Sequence, residues 1–236
     1  MKSMAKVGSV AALFFVVALL AVYLPKIQGR RYVADLAQCQ KNLEQIGLAM
    51  RMYHDEYGAY PPVALYDSDG TPLLSWRVLL LPYLNHESLY REFDLSESWN
   101  SARNSVLLVR IPDVFHCPTD PNVQQSMTSY VVVIGEQTVF PAHKAVQRND
   151  ITDGEHATVL VVEIGVSSIP WTKPEELLLD ESIPELDNLP SPHRGGTRCV
   201  LFADGHVKMI PHAVRPSIWH ALLTRNGREL INDWEF

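Results

Sequence analysis

Residues 191–210 read SPHRGGTRCVLFADGHVKMI. Two histidines, a Gly-Gly pair and an Asp-Gly pair stand within fourteen positions, His193 to His206. His193, Asp204 and His206 form a candidate metal-ligand set, since zinc takes nitrogen, sulfur and oxygen donors in tetrahedral reach. They could supply three ligands only if the Gly195-Gly196 loop folds back. His193 with Asp204 would also suit a hydrolase, as a base and its orienting acid. A hairpin accounts for the same residues without chemistry, and it is the favoured reading. Asp204-Gly205 fits a two-residue type I′ turn, which needs φ > 0 at both positions. Ala203 would then pair with His206, Phe202 with Val207 and Val200 with Met209. Val200, Phe202, Val207 and Met209 would form one apolar face, and Leu201, Ala203, His206 and Lys208 the other.

Other chemistry is thinly represented. Asp120 in the CPTDPN loop could contribute to a calcium site, because hard cations want clustered oxygens; a solvated turn explains one acid as well. Walker loops, G-x-S-x-G, His-Glu-x-x-His and Gly-rich dinucleotide fingerprints do not occur, so no cofactor is expected. Three cysteines are too few for a disulfide scaffold and lack the close spacing of a zinc finger.

The elements that must position these residues begin with an apolar run. Residues 7–24, VGSVAALFFVVALLAVYL, carry no charge. At about 1.5 Å per residue they reach roughly 27 Å, near the thickness of a hydrocarbon core. The sequence offers no small-x-small cleavage site after the run, which favours a retained transmembrane helix over a removed signal peptide. Lys2, Lys6, Lys26, Arg30 and Arg31 are the only charged residues up to position 31, which leaves 15 basic and 27 acidic residues, a net of -12, for the rest. A head this acidic argues against a nucleic-acid partner, since phosphate binding needs a basic face.

After the run, Tyr32, Leu36, Cys39, Leu43, Ile46, Met50, Tyr53 and Tyr57 recur at spacings of four and three. That periodicity predicts an amphipathic helix over 25–57 with one apolar stripe, packed within the chain rather than in a coiled coil. Pro25 marks its join to the span, and Gly58 with Pro61-Pro62 ends it. In the head, residues 58–236, Asp69-Gly70 reads as a hairpin turn and Ser75 as the N-cap of a helix that Pro82 interrupts. MTSYVVVIG, ATVLVVEIG and CVLFADGHVKMI read as strands. SIWHALLTRNG reads as a last helix with Gly227 as its C-cap. Helices come first and strands later, so the class is α+β with a mostly antiparallel sheet.

The blocks CQKNLEQIGLAMRMYHDEYGAYPP, LLSWRVLLLPYL, FHCPTDP, TSYVVVIG, ITDGEHATVLVVE, IPWTKPEEL and HRGGTRCVLFADGHV occur in this order. In them the chain resembles a bacterial family of unknown function with prepilin-type N-termini and a C-terminal motif of His, nine residues and Asp-Gly. Here the motif residues are His193, Gly195, Gly196, Asp204 and Gly205. Ten residues rather than nine separate His193 from Asp204, and Cys199 stands where the family usually has Asn. The leader also departs: Ser9, Val10, Ala11, Ala12 and Leu13 follow Gly8, without the usual glutamate, so processing by prepilin peptidase and polymer assembly are not implied.

The resemblance implies a pilin-like fold, with residues 1–6 in the cytoplasm, 7–24 in the membrane and the head outside. It also implies a disulfide between Cys39 and Cys117, whose positions match cysteines typical of the family. The expected role is non-enzymatic: a membrane-anchored envelope protein that makes protein contacts. A stalked ligand- or ion-binding module is the alternative, and a hydrolase using His193 and Asp204 a lesser one.

Overall fold

The computed structural model of the protein describes residues 2–120, 126–179, 190–193, 195–211 and 213–229; within the first helix, side chains are described from residue 20 onward, Val22 excepted. That helix, α1, runs Lys2–Tyr57 and continues through Pro25. Gly58 closes it with φ 75°, its N–H donating to the His54 carbonyl at 2.7 Å. The stripe read from the sequence is the buried face. Cys39, Leu43, Ile46 and Met50 are inaccessible to solvent, and Leu36 and Tyr53 pack at the margin. Burial of each large aliphatic side chain contributes about 1.5–3 kcal/mol, which outweighs the weak intrinsic stability of any one helical turn. Tyr57 departs from the expectation and lies exposed. Toward the N-terminus the helix leaves the head, and Leu20, Tyr23, Leu24 and Ile27 are all about half exposed. Among the described residues no helix is long and apolar enough to cross a membrane. The expected span, 7–24, falls largely on side chains outside the described residues.

Two short strands, β1 (Ala64–Tyr66) and β2 (Pro72–Ser75), form a hairpin through the turn at Asp69-Gly70. Ser75 caps α2 (Trp76–Leu79) as expected, its hydroxyl accepting from the Arg77 N–H. A 3-10 turn at Leu81–Leu84 follows, with Pro82 inside it, and then α3 (Glu87–Tyr90). The strand segments after them are β3 (Tyr130–Val131), β4 (Val133–Ile134), β5 (Val159–Glu163), β6 (Leu177–Leu178), β7 (Thr197–Phe202) and β8 (Val207–Pro211). The main sheet has the order β3-β5-β7-β8, antiparallel throughout, while β4 and β6 form a small parallel pair. The class is therefore α+β with mainly antiparallel pairing.

Both faces of the main sheet are buried. Leu160, Val161, Cys199 and Leu201 join the core under α1. Val159, Val162, Val200, Phe202 and Ile210 meet the last helix, α4 (Pro216–Leu223), through Trp219, Leu222 and Leu223. A bulge between Val159 and Val161 sends Leu160 and Val161 to the same side. α4 ends at Leu223 with Thr224 as its C-cap in an extended conformation, so Gly227 is not the cap the sequence suggested. A buried ion pair ties the hairpin layer to the sheet. The Arg77 guanidinium donates to both Glu176 oxygens at 2.7 and 3.0 Å and to the Tyr130 carbonyl, and the Trp76 indole and Val132 N–H also donate to Glu176.

The β7–β8 hairpin differs by one residue from the expected register. Leu201 pairs with Val207 and Val200 with Lys208. Phe202 and His206 close the ladder, with the Phe202 N–H donating to the His206 carbonyl at 3.0 Å. The loop is thus three residues, Ala203-Asp204-Gly205, with Gly205 at φ 93° as a three-residue loop demands. Val207 and Met209 consequently share the α1 side with Cys199 and Leu201, not the α4 side with Val200 and Phe202. His206 stacks on Phe202, ring centroids 4.4 Å apart and 5° from parallel. A Cβ at position 205 would stand 3.0 Å from the Arg51 guanidinium carbon. Gly205→Val is expected to cost more than about 1 kcal/mol, through positive φ and this contact, and His206→Ala less than about 1 kcal/mol, its side chain being 40% exposed. Urea unfolding of the two variants measures both; equal losses would contradict the turn assignment.

Candidate functional site

Glu163 is the last residue of β5, an interior strand, and its side chain is inaccessible to solvent. Strand alternation places Val162 on the α4 side and Glu163 on the α1 side, where Cys199 of β7 also faces. A carboxylate there must be paired or hydrogen-bonded, because transfer of a bare charge out of water is prohibitive. Glu163 Oε2 accepts from the Cys199 N–H at 2.8 Å and lies 2.6 Å from His193 Nε2. Its other oxygen, Oε1, is buried without a hydrogen-bond partner among the described residues.

His193 is delivered from the other direction. The chain approaches over Gly165, whose N–H donates to the Pro190 carbonyl at 2.8 Å. A Cβ on Gly165 would sit 2.8 Å from the Ser191 carbonyl carbon, so the close passage of these two segments requires glycine. The Ser191 hydroxyl accepts from the His193 N–H and donates to the Thr197 carbonyl, and Gly195 and Gly196 both take positive φ as the chain turns into β7. The imidazole is thereby held edge-on. Nε2 meets Glu163 and stands 3.7 Å from Cys199 Sγ, while Nδ1 lies 2.8 Å from Thr119 Oγ1.

Two more thiols complete the group. Cys39 comes from the buried face of α1 and Cys117 from the loop before Thr119, whose hydroxyl lies 2.9 Å from Cys117 Sγ. One donor atom from each of Cys39, Cys117, Glu163 and His193 lies within 4.8 Å of every other, and all four residues are buried. Cys39, Cys117 and Cys199 are all free thiols. A cleft of about 570 Å³ opens above them where α1 leaves the head; Arg31 and Asp35 stand on its rim and Thr119 and His193 line it.

The electrostatics restrict what this arrangement can do. The hydrogen bond with Cys39, burial and the Glu163 charge all push the Cys117 thiol well above its ordinary range. Burial and the same carboxylate raise Cys199. A nucleophilic cysteine needs the opposite shift. Two thiols, an imidazole and a carboxylate in contact are, however, the donor set of a thiophilic metal, and the adjacent Cys39 and Cys117 are also the pair a disulfide would join.

A family model described as a protein of unknown function (DUF1559) matches residues 31–183. The chain belongs to that family. Neither the curated proteins nor the solved structures contain a match. The DUF1559 segment includes Cys39, Cys117 and Glu163 and stops short of His193.

Of the residues singled out in the sequence, the fold brings Cys39 and Cys117 together and adds His193 to them. It separates His193 from Asp204 and His206. Asp204 lies beyond the far end of β7, roughly 15 Å along the strand from Cys199. There its side chain holds the His206 ring and N–H, and its carbonyl accepts from Arg51. The metal set His193, Asp204, His206 and the His193–Asp204 pair are thus corrected: a strand intervenes between the histidine and both partners. Asp120 is buried and accepts from the Val166 N–H at 2.7 Å, which joins its loop to the segment after β5. Glu163 and Thr119 went unnoticed in the sequence. The signal for Glu163 was the one acid ending an otherwise apolar strand, VLVVE.

Burial alone pushes the Glu163 carboxyl up, but the His193 hydrogen bond and charge, with the Cys117 thiol and the Cys199 N–H, outweigh it and hold the carboxyl below its ordinary value of 4.5. Stability from this group is complete above about pH 4.5 and is lost as the pH falls through the lower folded-state value. Glu163→Gln is expected to cost about 1.5–3 kcal/mol at pH 7, the range for a hydrogen bond to a charged group, and to flatten the acid limb. Urea midpoints between pH 3 and 7 for both chains test this, and parallel acid limbs would contradict it.

Proposed function

We propose that the protein is a membrane-anchored, pilin-like envelope protein whose head stands outside the cytoplasmic membrane and makes protein contacts, in a structural or interaction role rather than an enzymatic one. The observation that carries this reading is the division of α1. At about 1.5 Å per residue its 56 residues reach about 84 Å. Among the described side chains of the helix, the stretch from about Leu36 to Tyr53 is packed against the head, while Leu20, Tyr23, Leu24 and Ile27 are left bare. Apolar side chains in a row on a projecting helix need a cover, and the uncharged run at 7–24 continues that row toward the N-terminus. A lipid bilayer is a cover of the right length. The packing of the other end of the helix on an antiparallel sheet supports the pilin-like comparison, and the acidic head supports a role away from nucleic acid.

The full chain is expected to sediment with membranes and resist alkaline extraction, whereas a chain lacking residues 2–24 is expected in the soluble fraction. A reporter fused after residue 236 is expected to be active only on the extracytoplasmic side, and crosslinking in cells is expected to trap the head with envelope partners. A full chain released by alkali, or a reporter active in the cytoplasm, would overturn the reading.

A further inference from the structure

We propose that Cys39, Cys117, Glu163 and His193 bind one divalent metal ion of the zinc class. Zinc bonds of about 2.0–2.3 Å in a tetrahedron set ligand–ligand separations of roughly 3.3–3.8 Å. The four donor atoms already lie within 4.8 Å of one another, so contraction by about 1 Å closes the site. Glu163 Oε1 is the second, independent sign. It is a buried carboxylate oxygen with no hydrogen-bond partner among the described residues, and such an atom is costly unless a cation occupies the position. The imidazole is also presented as metal-bound histidines are. Nε2 faces the Glu163 carboxylate and the Cys199 sulfur, and Nδ1–H can donate to the Thr119 hydroxyl at 2.8 Å, which fixes the ring and its tautomer.

Zinc takes cysteine as thiolate, so binding at Cys39 and Cys117 displaces their thiol protons. The cleft lined by Thr119 and His193 supplies the entry path.

The test uses the full chain, purified reduced and metal-free in detergent, with Zn²⁺ and Co²⁺ as probes. One Zn²⁺ per chain is expected, with X-ray absorption showing two sulfur neighbours and Co²⁺ giving a thiolate-to-metal charge-transfer band. Cys39→Ser, Cys117→Ser and His193→Ala are each expected to abolish that band, and Thr119→Val to weaken Zn²⁺ binding about 10- to 100-fold. Asp204→Asn with His206→Ala is expected to leave binding intact. Circular dichroism checks the fold of every variant, and the sulfur count on the unmutated chain decides the matter should the cysteine variants fail to fold. Sub-stoichiometric metal, a cobalt spectrum without sulfur, or loss of binding in the Asp204→Asn, His206→Ala chain would overturn the proposal. So would a Cys39–Cys117 disulfide, seen by mass spectrometry as a linked peptide pair in metal-free protein from its native compartment.

Discussion

The packing of α1 across the main sheet is the constraint on which the rest of the head depends. Leu43, Ile46 and Met50 of the helix and Cys199 and Leu201 of β7 are buried in one shared core. Contact is close enough that a Cβ on Gly47 would fall 2.9 Å from Leu201 Cδ1. Interiors packed to this density tolerate little sliding. Once the helix is seated, Cys39 has one possible neighbourhood, at the end of the sheet where β5 finishes and β7 begins. The candidate site follows from that contact rather than from any local motif.

Two buried carboxylates show how the same cost is met in two ways. Glu176 receives the Arg77 fork, the Trp76 indole and the Val132 N–H, so both oxygens are used. A pair so fully satisfied holds the hairpin layer on the sheet and leaves nothing for a ligand. Glu163, equally buried, has one oxygen occupied and one idle, and its neighbours are an imidazole and thiols instead of a guanidinium fork. Burial alone does not separate a structural carboxylate from a functional one; the completeness of its hydrogen bonding does.

The same physics explains what could be read from the sequence. The α1 stripe was legible because a helix writes its buried face at spacings of three and four, and Ser75 and Asp69-Gly70 because caps and turns are local. The β7–β8 register was not, since Asp-Gly suits a two-residue loop and the end of a three-residue loop alike, and one residue of slip exchanges every side chain between faces. Tyr57 misled because periodicity continues past the point where the head stops covering the helix. The site was least legible of all. Glu163 stands 30 residues from His193, and His116, beside Cys117, lies 74 from Asn42, whose side chain donates to its carbonyl from the turn of α1 after Cys39. No spacing along the chain encodes such meetings, and His193 instead drew attention to the nearby Asp204 and His206.

The separation of His193 from Asp204-Gly205 then has a mechanical meaning. His193 is fixed beside Cys39, and the Asp204 carbonyl is fixed to Arg51, twelve residues further along α1. Twelve helical residues advance about 18 Å. The strand and turn from Cys199 to Asp204 cover roughly 15 Å of the same path. Helix and strand are two rulers laid side by side, pinned at one end by the buried cluster and at the other by the Arg51 contact. An inserted residue must therefore be absorbed where neither ruler is engaged, in the Gly195-Gly196 turn ahead of β7 or in the three-residue loop at Gly205. Both places adopt positive φ and lie outside the paired ladder. The histidine and the Asp-Gly pair mark the two ends of β7, and the buried group of thiols, imidazole and carboxylate stands at the histidine end.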